Sequence, residues 1–83
     1  MENLTYKIHL HKEPEGGYTV IVPALPGCIT WGENIEQATL MAREAIEGYI
    51  ETLKDMGEPI PDDSDTLEMS IVLAAWKWAK LPR

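Results

Sequence analysis

One stretch of this 83-residue chain carries the period of a helix, and the stretches on both sides carry the period of a strand. Ile35, Ala38, Ala42, Ala45, Ile46, Tyr49 and Leu53 recur at steps of three and four, which gathers them on one face of a helix over about residues 35–55. Asn34 is the expected N-cap, with Gln37 three residues on in a capping-box arrangement and Glu33 and Glu36 near the positive helix end. Gly57 is a natural stop, and Pro59 and Pro61 prevent resumption. A helix with one apolar stripe must lay it on something, and the flanking strands are the available surface.

Before the helix, Leu4, Tyr6, Ile8 and Leu10 alternate with Thr5, Lys7, His9 and His11, the pattern of a half-buried strand. Lys12 to Gly17 is polar, with Pro14 and two glycines, and reads as a hairpin connection. Tyr18 to Val22 is β-branched and aromatic and forms a second strand, which Pro23 ends. In Ala24-Leu25-Pro26-Gly27, Pro26 presets the first corner of a type II turn and Gly27 takes the second. Cys28 to Trp31 forms a short third strand, broken by Gly32. After the helix, Asp62 to Asp65 is a solvated loop, and Leu67, Met69, Ile71 and Leu73 alternate as a fourth strand that includes Glu68. Residues 74–83 read equally as a strand extension or a short helical arm. The order is β-β-β-α-β in one domain over residues 1–83: an α+β fold with a small, mostly antiparallel sheet and one long helix on one face. The other face is left for solvent or a partner.

Composition bounds the function. With 45% hydrophobic and 25% charged residues the chain is ordinary globular material. Cys28, the single cysteine, cannot form an internal disulfide, and the start lacks the basic and apolar run of a signal peptide. No apolar stretch approaches the ~20 residues that span a bilayer. The expected location is cytoplasmic. A net charge of −7 disfavours phosphate backbones and favours basic partners. That charge is uneven: all fourteen acids lie at or before Glu68, while Lys77, Lys80 and Arg83 give a basic tail.

The wording of the middle is recognisable once the elements are placed. Gly16-Gly17-Tyr18-Thr19-Val20, Pro23-Ala24-Leu25-Pro26-Gly27-Cys28-Ile29-Thr30-Trp31-Gly32, Asn34-Ile35-Glu36-Gln37-Ala38 and Ala42-Arg43-Glu44-Ala45-Ile46 together resemble the N-terminal domain of HicB antitoxins. The likeness continues through Tyr49-Ile50 and Gly57-Glu58-Pro59-Ile60-Pro61, over roughly residues 6–73. It implies a truncated ribonuclease-H-like fold without the catalytic acids. It also implies a function, the masking of a small basic RNA-cleaving toxin of the HicA type. Family members often add a C-terminal DNA-binding domain. This sequence stops ten residues after the fourth strand, so direct DNA binding is not expected.

The candidate residues follow. Glu44, Glu47, Glu51 and Asp55 form an acidic helical stripe, either a solvated face or a landing surface for a basic protein. Trp76 and Trp78 flank Lys77; a chain this small cannot easily bury them, so subunit contact within an arm at 74–83 is the expected role, with RNA stacking as the other reading. Pro26 and Gly27 are structural. His9 and His11, two apart on one strand face, have feasible metal spacing but no third ligand nearby, and Cys28 lacks an activating motif. Two-metal nuclease chemistry needs converging carboxylates, which the strands do not supply. The expectation is therefore a non-catalytic protein without cofactor or bound metal. It is an antitoxin-like subunit, homodimeric or homotetrameric, that occludes a HicA-type toxin. The alternative is a free-standing homo-oligomeric regulatory or structural domain with no toxin.

Overall fold

The computed structural model describes residues 3–78. Three strands, β1 (His9–Lys12), β2 (Tyr18–Ile21) and β3 (Ile29–Gly32), precede one helix, α1 (Ile35–Asp55), and a short 3-10 turn closes the described chain at Ala75–Trp78. The sheet order is β1-β2-β3 and both pairings are antiparallel. Leu10 stands opposite Val20, and Val20 opposite Thr30; His9, Ile21 and Ile29 form the next row. Side chains alternate across a pleated sheet, so this register sends Ile8, Leu10, Val20 and Val22 towards α1. His9, His11, Thr19, Ile21, Ile29 and Trp31 go to the opposite face.

The core is small and has two parts. Val20 packs with Ala38 and Ala42; Val22, Leu25 and Cys28 pack with Tyr6, Ala45, Ile46 and Tyr49, and Ile8 touches both clusters. Val20, Val22 and Leu25 are the largest fully buried side chains, worth about 1.5–3 kcal/mol each in transfer free energy. Alanines at 38 and 42 let the helix approach the sheet closely. At Gly32 the approach is closer still, since a β-carbon there would stand 2.3 Å from the Ala38 nitrogen.

The expected helix signals are met. Asn34 accepts from the Gln37 amide at 2.7 Å, and the Gln37 side chain accepts from the Glu33 amide at 2.6 Å. At the other end Gly57 has φ +71°, with bonds from the Gly57 amide to Lys54 and from the Glu58 amide to Leu53, a Schellman closure. Of the stripe, Ala38 and Ala42 are buried and Ala45, Ile46, Tyr49 and Leu53 half-buried, while Ile35 is 58% exposed.

Two strand expectations need correction. The strand read over residues 4–11 forms its ladder only at His9–Lys12. Leu4 to Ile8 run on without a ladder because their antiparallel partner ends at Ile21, just before the ring of Pro23, which has no amide to donate. The fourth strand read at Leu67–Leu73, Glu68 included, is absent from the sheet, which has three strands among the described residues. The chain does return to β1: the Tyr6 hydroxyl donates to the Pro61 carbonyl, the Asp63 amide to Thr5 at 3.2 Å, and the Lys7 amide to the Asp63 carboxylate at 3.0 Å. A turn follows, with the Thr66 amide donating to the Asp63 carbonyl, and the main chain beyond it makes no bond to β1, although the Glu68 side chain still reaches His9. Alternating side chains make a strand only when a neighbour supplies hydrogen bonds, and this segment has none. Leu67, Met69 and Ile71 are each more than four-fifths exposed. The Cα radius of gyration is 16.5 Å, against about 12 Å for a compact chain of this length.

Candidate interaction site

Helical spacing sets the first surface. With Ala38, Ala42 and Ala45 turned to the sheet, Glu44, Glu47, Glu51 and Asp55 are all exposed, as the sequence spacing requires. They extend over roughly 16 Å of helix. Glu47 does more than sequence spacing revealed: with Arg43 it rims a groove between the helix and the unladdered part of the first strand. The groove has a volume of about 340 Å³, and its apolar wall comes from Leu4, Tyr6, Ile8, Ala42, Ile46 and Ile50. Its sequence signal was the set of inward positions 4, 6 and 8 opposite one flank of the helix.

The face away from α1 is the second surface. His9 and His11 lie on it, next to an apolar row not singled out from the sequence: Ile21, Ile29 and Trp31 are 42%, 59% and 48% exposed. Their alternation with Val20, Val22 and Thr30 was the signal. His9 pairs through Nε2 with the Glu68 carboxylate. Among the described residues, no group of three His, Cys, Asp or Glu side chains is placed to hold a metal ion.

The remaining candidates separate. Leu25 accepts from the Cys28 amide at 2.9 Å and Gly27 has φ +82°, the geometry of a type II turn with Pro26 and Gly27 at its corners. The Tyr49 hydroxyl donates to the Pro26 carbonyl at 2.7 Å, which ties that turn to α1. Cys28 is buried beneath it, and burial pushes its thiol pKa up, the reverse of activation. Tyr6 is likewise raised, first by burial and then by the Asp62 and Asp63 charges. Asp62 is lowered, chiefly by hydrogen bonds from Ser64. Trp76 and Trp78 lie in the 3-10 turn, 75% and 53% exposed, with Lys77 Nζ 5.7 Å from the Trp76 ring centre. Two residues apart on such a turn they diverge instead of sharing a face. Lys80 and Arg83 of the tail lie outside the described residues.

A family model described as "HicB_like antitoxin of bacterial toxin-antitoxin system" matches residues 6–79. The chain belongs to this antitoxin family. The UPF0150 protein Ta0767 of Thermoplasma acidophilum is 44% identical over 61 residues, covering 74% of this chain and 88% of that protein. Antitoxin HicB 1 of Photorhabdus laumondii is 30% identical, covering 90% of this chain and 51% of that protein. The crystal structure of the N-terminal domain of Burkholderia pseudomallei antitoxin HicB superposes with a TM-score of 0.61 at 34% identity, over 93% of this chain and 81% of that one. The α+β architecture is therefore that of the HicB N-terminal domain. The family is one of toxin–antitoxin systems and is generally non-enzymatic, and no described helix is long and apolar enough to cross a membrane.

Proposed function

We propose that this chain neutralises a small basic HicA-type, RNA-cleaving toxin by covering it, with the acidic face of α1 as the landing surface. The observation that carries the reading is the continuous exposure of Glu44, Glu47, Glu51 and Asp55 along one side of the only long helix among the described residues, in a chain of net charge −7. Such a face speeds encounter with a basic protein and opposes nucleic acid. The reading includes a cytoplasmic location, a truncated ribonuclease-H-like ancestry of the fold, no catalysis of its own and no direct DNA contact. It also includes a homo-oligomer, since the row Ile21, Ile29, Trp31 and the tryptophans Trp76 and Trp78 need cover.

The test is a triple charge reversal, Glu44→Lys, Glu47→Lys and Glu51→Lys, against a toxin encoded beside this chain or recovered with it. The positions are exposed, so the fold survives. Toxin affinity falls at least tenfold, about 1.4 kcal/mol, mainly through slower association and less at high salt. Unchanged affinity in a folded triple variant removes the stripe from the interface. Absence of any basic partner from the cell favours the other reading, a free-standing homo-oligomeric regulatory or structural domain.

A further inference from the structure

We propose that the segment after Asp63 is a strand donor between copies: Leu67–Leu73 of one chain lies on the outer edge of β1 in a second copy and covers its groove, and the second copy does the same in return. The inference rests on the homo-oligomer proposed above and is independent of the toxin reading.

Three observations meet here. The first is an unfilled edge. Thr5 and Lys7 turn their carbonyl and amide to the side of β1 away from β2, where Asp63 meets them. Within the ladder the Glu13 amide donates to the Gly17 carbonyl, so the main-chain groups of His9 and His11 face β2 and those of Leu10 face the outer edge. Leu10 has no backbone partner on that side among the described residues, because β1 is an edge of the sheet. The second is the groove beside that edge, walled by Tyr6, Ile8, Ile46 and Ile50, where inward side chains of an added strand would sit. The third is an arm whose apolar side chains are left uncovered, although its Glu68 carboxylate reaches His9. Leu67, Met69, Ile71 and Leu73 alternate, and all are at least 65% exposed.

The same chain thus holds a groove lacking an occupant and an arm lacking a groove. Seven large apolar side chains from Leu67 to Trp78 are more than half exposed, an area on the order of the 800 Å² per partner that a specific interface needs. Charge agrees. Residues 1–68 carry fourteen acids and four bases, while the rest carries three bases and no acid. An arm ending in Lys77 is therefore matched to the Glu47 side of a second copy's groove and softens repulsion between acidic bodies. The outer edge of β3 is a poorer site, because the groove opens beside β1. Reciprocal exchange closes the assembly as a two-fold dimer and leaves no free arm.

The experiment uses the full chain. In a Cys28→Ala background, one protein carries His11→Cys and another Ser70→Cys, on the face that His11 shares; a companion series moves the arm cysteine to Glu68 or Val72 to sample register. A disulfide between the two different chains after mixing and mild oxidation is expected, since only contact between copies can produce it. A third protein with both cysteines reports contact within a chain; an intrachain disulfide there without interchain product overturns the proposal. Light scattering at on the order of tens of micromolar is expected to give a dimer for the native chain. It should give a monomer for Met69→Ser, Ile71→Ser, Leu73→Ser, whose exposed positions leave the circular dichroism unchanged. A native monomer, or a dimer indifferent to those changes, also overturns it, whatever the toxin titration gives.

Discussion

Gly32 and Ala38 are in backbone contact: a β-carbon on Gly32 would meet the Ala38 nitrogen at 2.3 Å and its α-carbon at 2.4 Å. Main-chain atoms cannot rotate aside as a long side chain can. Gly32→Ala must therefore push α1 off the sheet, and we expect a loss of about 1–3 kcal/mol in urea denaturation. Gly48 is the control. It lies mid-helix with nothing within 4 Å of its would-be β-carbon, so Gly48→Ala should stabilise by roughly 0.5–1 kcal/mol. Equal effects of the two changes would refute this account of the helix–sheet contact.

Gly27 meets no neighbour, yet its φ of +82° excludes easy replacement. Gly27→Val should cost roughly 1–3 kcal/mol through backbone strain alone. Tyr49→Phe, which removes the tie from α1 to Pro26, should cost about 0.5–1.5 kcal/mol. An unchanged denaturation midpoint for Gly27→Val would contradict the turn.

Alkaline pH should destabilise the fold. Burial raises Cys28, and burial with the Asp62 and Asp63 charges raises Tyr6. Folding thus favours both neutral forms. Their contribution is intact below the unfolded values of about 8.5 and 10 and is lost as pH rises through the folded ones, because the unfolded chain ionises first. The thermal midpoint should fall above about pH 8.5, and less steeply in Cys28→Ala. A flat profile to pH 11 or so would count against these environments.

Catalysis is not expected. Glu68 lies on an exposed segment paired with His9, not among converging carboxylates, and two-metal cleavage needs cations held about 4 Å apart. Purified protein with Mg²⁺ or Mn²⁺ should leave RNA, DNA and their hybrid intact. Cleavage that survives stringent purification and vanishes in Glu68→Gln would overturn this expectation.

Much of the fold was legible in local chemistry. Asn34 and Gln37 announced the helix start, Gly57 its end, Pro26-Gly27 the turn, and the β-branched, aromatic run from Tyr18 the second strand. Each signal is carried by residues close in sequence, whose conformational preferences hold whatever surrounds them. The acidic stripe followed from helical spacing in the same way. Pairing is different. The alternation of Leu67, Met69, Ile71 and Leu73 matches that of a sheet strand, but alternation says which side chains share a face and nothing about who supplies the hydrogen bonds. Only the tertiary structure decided that Asp63 anchors to Thr5 and Lys7 while the main chain beyond it adds no strand to that edge. It alone set the groove behind Tyr6 and Ile8 and the open row of Ile21, Ile29 and Trp31. These features depend on contacts between residues far apart in sequence, or between chains, where a period constrains orientation but leaves the partner undetermined.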